Sequence, residues 1–237
     1  MNIEEVGCKP IIIGELYGGG NQAGYSIYGY DSYDKPKETG TKLYADPVVN
    51  VKSFTSIGTI YGGGYGTGAI MVGSPTVNIN EVVGTPETYP TDGDFNETGY
   101  KGKTKTIDGH DVVIPAHTKG KIGAINNVFG GGNAAEVKGN TNVNIGTETN
   151  VFVTVNDNDI TVGTTDVSSY YTRSGEGTTT SPYVYTKGSE GDKAVANTTY
   201  YEEKPVIGVD IRGNVYGGGN NAAVTGNTNV TIGKRNE

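Results

Sequence analysis

The chain repeats itself, and the repeat limits what it can fold into. Asn214–Gly233 reads NVYGGGNNAAVTGNTNVTIG, and Asn127–Gly146 reads NVFGGGNAAEVKGNTNVNIG. A looser copy spans Thr59–Ile79 (TIYGGGYGTGAIMVGSPTVNI), and a partial one opens at Leu16 with LYGGGNQAG. One such unit cannot bury its apolar face alone, so recurrence on this scale predicts units that stack on one another.

Aligned on the triple glycine, every copy places an aromatic just before it: Tyr17, Tyr61, Phe129 and Tyr216. Asn follows at Asn21, Asn133 and Asn220, while the second copy has Tyr65. The two best copies then alternate as Thr141, Val143, Ile145 and as Thr228, Val230, Ile232. Residues two apart on a strand share a face, so Val143 and Ile145 point one way and Asn142 and Asn144 the other. The second copy reaches Thr76, Val77 and Ile79 two residues later, which predicts a longer turn. The glycines predict either positive φ or a backbone approach too close for a Cβ. Stacking predicts two ladders. One is aromatic, from Tyr17, Tyr61, Phe129 and Tyr216. The other is of Asn21, Asn133 and Asn220, whose amides can donate to one level and accept from the next.

The pattern YGGGN…A.V.GNT.V.I resembles the Gly- and Asn-rich right-handed parallel β-helix repeats of bacterial cell-surface and autotransporter-type adhesin proteins. The resemblance rests on the repeat copies and not on the stretches between them. It implies an all-β chain, a right-handed parallel β-helix (β-solenoid), in an extracellular and non-catalytic module. The handedness also follows the general rule for parallel crossovers. The calcium-binding nonapeptide repeat does not match, because no Asp follows these glycines at its spacing.

Composition agrees with strands. Gly numbers 39, Leu occurs only at Leu16 and Leu43, and Trp is absent. Val, Ile and Thr dominate instead, and these favour strands. The formal net charge is −8, with no basic patch for phosphate, so nucleic acid is not expected as a partner. No apolar run approaches the ~18 residues of a membrane span. The single Cys8 cannot form an internal disulfide.

The triple glycines start at 18, 62, 130 and 217, spacings too uneven for a bare repeat. The excess predicts insertions at about 25–47, 82–121 and 147–209 within one domain spanning 1–237. A first strand is expected at Pro10–Ile13, and Val48–Val51 should resume the repeat. Asp108-Gly109 joins two strand-like runs, a hairpin signal. In the third insertion Val151, Val153 and Val155 alternate, NDND turns, and Ile160 and Val162 return. The rest of that insertion, with tyrosine doublets at Tyr170–Tyr171 and Tyr200–Tyr201, reads as long polar hairpins or loop. Met1 is followed by NIEEVG rather than by a basic and then an apolar region, so no signal peptide is expected. The chain reads as a fragment of a longer repeat protein.

Candidate chemistry is sparse. His110 and His117 bracket a strand beside Asp108 and Asp111, four residues from which a metal or acid–base site can be imagined, although a hairpin with an Asp-Gly turn and polar edges is the expected reading. No zinc spacing such as HExxH or paired CxxC occurs. Asp92 with Asp94 and Asp157 with Asp159 are calcium candidates, because hard cations take several loop oxygens. Asp and Asn are equally ordinary turn residues. The glycines lack the GK[ST] ending of a phosphate loop. Glycoside hydrolysis normally needs two facing carboxylates, and no acid recurs on the repeat strands. The expected function is a stalk or adhesion scaffold that is not an enzyme, at the cell surface or secreted. It would present its insertions to a glycan or protein, as a monomer or associated end to end, with no cofactor unless calcium. The alternative is a carbohydrate-binding or carbohydrate-cleaving β-helix.

Overall fold

The computed structural model describes residues 1–4, 10–82, 89–90, 93–178 and 180–233. Cys8 and Asp92 lie outside the described residues. The fold is all-β, with no helix among the described residues. It divides into two compact units, Met1–Glu148 with Ile207–Glu237, and Thr149–Val206.

In the first unit the repeat copies contribute their strands to three sheets. The first sheet runs Asn2–Ile3, Val48–Val51, Thr76–Ile79, Thr141–Ile145, Thr228–Ile232, every neighbour parallel. The second runs Ile12–Tyr17, Ser56–Tyr61, Ala124–Phe129, and ends on two short strands, Asp210–Ile211 and Val215–Tyr216. The third is formed by Tyr25–Ser26, Met71–Val72 and Val137–Lys138, and Val137 bridges onward to Val224. The first strand of the second sheet thus lies further along than Pro10–Ile13, and Tyr25–Ser26 belongs to a sheet although it opens the 25–47 stretch. Each set of strands from one copy is called a level below.

Levels stack without a register shift. Tyr17, Tyr61, Phe129 and Tyr216 are partners in successive pairs, as are Val51, Ile79, Ile145 and Ile232. The second copy reaches the third sheet ten residues after its aromatic, at Met71, where the third copy takes eight, at Val137. Its longer turn carries Gly66 and Gly68.

The core is a column of β-branched side chains: Val49, Val51, Val77, Ile79, Val143 and Ile145 from the first sheet, and Ile57, Ile60, Ile125 and Val128 from the second. In the first sheet these lie two apart, as pleating requires. In the second they lie three apart. The paired register there skips Gly14, Gly58 and Asn126, so each strand bends and both Ile57 and Ile60 turn inward.

The glycine question resolves as close approach. Gly19, Gly63 and Gly131 lie outside the left-handed region, but a Cβ there would come 2.8, 2.6 and 2.8 Å from the backbone nitrogen of a glycine one level on. Real Cβ atoms do not tolerate such contacts. The positive φ falls instead on the residue after the Asn column, at Gln22, Ala134 and Asn221, with Gly66 in the second copy.

The second unit is a four-stranded antiparallel sheet in the order Asn150–Thr154, Tyr201–Pro205, Tyr171–Ser174, Val184–Lys187. The strand Asn150–Thr154 therefore does not hairpin back on Ile160 and Val162. Asn156 caps a turn after it, and the chain turns again at Thr161, whose carbonyl accepts from Thr164 and Thr165. Pairing with Tyr201–Pro205 brings aromatic area that Val162 does not offer. Phe152 stacks on Tyr185 at 3.8 Å, Tyr185 meets Tyr201 edge-on, and Arg173 lies over the rings of Tyr183 and Tyr201. Val167, Ala194 and Tyr200 form a separate small core, against which Ile160 packs. Asp166 accepts hydrogen bonds from Ser168 and Gly191, which hold its carboxyl down to about 2.

One column supplies its own control. Ile79 is fully buried and Ile232 is 69 % exposed, yet both occupy the same position of the repeat. Ile79→Ala should cost ~2–5 kcal/mol in urea unfolding, the usual range for a buried Ile. Ile232→Ala should stay within ~0.5 kcal/mol, as exposed substitutions do.

Candidate functional site

The aromatic ladder is continuous, whereas the expected Asn column is interrupted by Tyr65 and its side chains join at Asn133 and Asn220. Tyr17 stacks on Tyr61 at 4.8 Å and 5°, Tyr61 on Phe129 at 5.1 Å and 13°, and Phe129 on Tyr216 at 4.7 Å and 18°. Beside them the backbones of Asn21, Tyr65, Asn133 and Asn220 bridge in series. Asn220 Nδ2 donates to Asn133 Oδ1 at 3.2 Å, and Asn133 Nδ2 donates to the Tyr17 hydroxyl at 3.1 Å. Tyr61 is hydrogen-bonded by Asn220 in the same way, two levels on. A second amide ladder, not anticipated from the sequence, runs through the first sheet. Asn50 donates to Asn2, Asn78 to Asn50 and Asn144 to Asn78, each at 2.9 Å. Its signal was present in the Val-Asn-Val and Val-Asn-Ile triplets that recur in register.

The site with the most chemistry lies at the first two levels, where the hairpin of Lys103–Ile107 and His110–Ile114 packs on the second sheet. Asp108 and Gly109 both take positive φ, at 47° and 81°, and turn it tightly. Docking depends on missing side chains. A Cβ at Gly58 would lie 2.6 Å from Val112, and one at Gly14 would strike Ile107. Tyr100, Val112 and Ile114 pack there with Ile12, Phe95 and Ile107, and Ser56 donates to Pro115 O at 2.6 Å.

The hairpin thereby sets His110 over Glu15, with Nε2 2.9 Å from Oε1. The Glu15 side chain is only 4 % exposed, and its Oε2 accepts from the Tyr17 hydroxyl at 3.0 Å. Tyr65 tilts against Tyr17 at 5.6 Å and shares a hydrogen bond with Asp108. Gly14, Glu15, Tyr17, Asn21, Tyr65 and Asp108 line a cleft of about 330 Å³. Burial raises the Tyr17 phenol, and the nearby Glu15 charge adds to that; Tyr61 is pushed up to about 12, first by burial and then by Glu15. The cleft thus offers recessed acceptors, neutral phenols and an amide, a set suited to hydroxyl-rich ligands. Glu15 escaped sequence reasoning because its strand was expected to end at Ile13. In register it stands where the other copies have Thr59, Asn127 and Asn214.

The other candidate residues are dispersed. His117 is buried, with Nε2 2.9 Å from Lys121 O and its ring stacked on Tyr89. His110 and His117 therefore serve different partners, and Asp111 accepts from Thr106 at 2.8 Å. Asp94 pairs with Lys103, and Asp92 lies outside the described residues. Asp157 and Asp159 are exposed in the turn that Asn156 caps. Among the described residues no group of three or more His, Cys, Asp and Glu is placed to hold a metal ion. No helix among them is long and apolar enough to cross a membrane.

The tyrosine shifts carry a pH prediction. A phenol whose folded pKa lies above its unfolded value of 10 stabilises the fold fully below pH 10, and that contribution disappears as pH rises through the folded value. Unfolding midpoints should therefore fall between pH 10 and about 12, and Tyr61→Phe should flatten that fall. An identical pH profile in the variant would refute the assignment.

A scan against protein-family models found no match, and neither did searches of the curated proteins and of the solved structures.

Proposed function

We propose that the chain is a non-catalytic display scaffold of a bacterial cell-surface or secreted protein. Its three parallel sheets would be the faces of one right-handed β-solenoid. The observation that carries this reading is the constancy of register across copies of very different spacing. Levels two and three are separated by the 82–121 stretch and levels three and four by Thr149–Val206, yet the strands on either side pair without a shift. A framework indifferent to what is inserted between its levels is suited to presenting those insertions to a protein or glycan.

The cleft at Glu15, Tyr17, Asn21, Tyr65 and Asp108 favours a second reading, carbohydrate binding. Carboxylates and an amide there are placed beside aromatic rings, the combination that grips both the hydroxyls and the apolar faces of sugars.

Excision separates the two. Val206 N donates to Thr149 O at 2.8 Å, so the stems of the second unit are adjacent and a short Gly-Ser link can replace Asn150–Pro205. The shortened chain should keep its β circular dichroism and cooperative unfolding. On a glycan array with and without EDTA, display by the second unit predicts binding that is lost on excision and kept in Glu15→Ala. Loss in Glu15→Ala alone would select the cleft. Turnover of a polysaccharide by the intact chain would overturn the non-catalytic reading.

A further inference from the structure

The cleft beside Glu15 is charged in one direction. Its lining holds two carboxylates, Glu15 and Asp108, and neither Lys nor Arg. The Glu15 side chain is 4 % exposed, with the Tyr17 hydroxyl on Oε2 and His110 Nε2 at 2.9 Å from Oε1. An ionised carboxylate has about four acceptor sites, so these two contacts leave it open to a further donor. Tyr65 is hydrogen-bonded to Asp108, so both phenols that line the cleft already serve its carboxylates. Their rings lie 5.6 Å apart and tilted by 58°, which gives the recess an aromatic corner. Asn21 lines the cleft and is exposed, and Tyr65 holds the position at the next level where an amide would otherwise meet it.

We infer that this cleft receives the free ammonium group of an amino sugar, an inference that rests on the carbohydrate reading of the same residues. What the cleft leaves unfilled is acceptor capacity and ring surface. An ammonium has three donors and no acceptor, and aromatic faces attract cations. An anionic sugar would meet two like charges and no Lys or Arg in the lining. The sugar ring completes the fit, because its hydroxyls suit the Asn21 amide and its C–H face suits the Tyr65 ring. A lysine side chain carries the same ammonium on a flexible stem, which costs more to order and brings nothing for Asn21. At about 330 Å³ the cleft lies at the small end of ligand sites and suits one such unit.

The test is calorimetric titration of the intact chain with a glucosamine tetramer and with its N-acetylated counterpart. The two differ only at the amine, which acetylation turns into a neutral amide. The free-amine form should bind about tenfold more tightly, a step of the size expected for one charge-assisted contact. Glu15→Gln keeps the shape of the side chain, removes its charge, and should bind the two forms alike. Asp108→Asn is the second variant, since Asn tolerates the positive φ there, and it should narrow the preference in a chain with an unchanged thermal midpoint. Equal affinity for the two tetramers, or tighter binding of the acetylated one, would overturn the inference and leave the carbohydrate reading standing. Binding of neither would overturn it as well, and the glycans of the array that depend on Glu15 then decide the carbohydrate reading separately. Variants that both keep the full preference would reveal attraction to the overall charge of −8 alone and would also overturn it. Tetralysine bound as tightly as the free-amine tetramer, and released by Glu15→Gln, would overturn the sugar as occupant and assign the site to a protein partner.

Discussion

The stacking of bare backbone at the triple glycines sets the geometry of the first unit. A middle glycine with a side chain would place it within 2.8 Å of the next level, so the levels meet there only because there is no Cβ. Once these backbones superpose, every other residue of the copy is held in column with its equivalents. The aromatic rings then repeat at 4.7–5.1 Å, close to the ~4.8 Å between strands, so the strand spacing imposes the ring stacking.

Superposition also decides what each column must contain. Inward columns are mostly Val and Ile, with Leu16 in the column of Ile60 and Val128. Outward columns repeat a polar group at the strand spacing, and Asn is suited to that because one amide both donates and accepts. Each amide in the first sheet donates to the level before it, which gives the ladder a direction. The Tyr hydroxyls of the first two levels extend this across two levels, to Asn133 and Asn220. Their phenols stay protonated because burial and Glu15 both disfavour the anion.

Much of this was legible in the sequence, for a physical reason. A repeat stacked without offset writes each column as an identical letter, so Tyr17, Tyr61, Phe129 and Tyr216 announce their ladder. The bend at Gly58 was not legible, since it breaks the two-residue period that strand reading assumes. Nor was the sheet of the second unit, where Asn150–Thr154 ignores the local return at Ile160 and pairs some fifty residues away. Local alternation marks a strand and says nothing of its partner. The Asp108-Gly109 turn was legible as a hairpin, but the partners of its histidines were not. The hairpin directs His110 to a glutamate 95 positions earlier, while His117 is drawn under Tyr89.

The candidate site is best understood through the places where the copies differ. At the bend, levels one and two have Gly14 and Gly58, and level three has Asn126. The 103–114 hairpin can therefore lie against the first two levels, while a side chain stands in that column at the third. Level one alone has Glu15 in the column of Thr59 and Asn127, and level two alone has Tyr65 in the column of Asn21 and Asn133. These departures fall on the same two levels and line one cleft with Asp108. Residues that agree among copies serve the stack, which needs the same group at every level. A residue that departs is released from that need, and here the departures gather where an insertion folds back, so the repeat's exceptions build a recess that joins a buried carboxylate to phenol and amide.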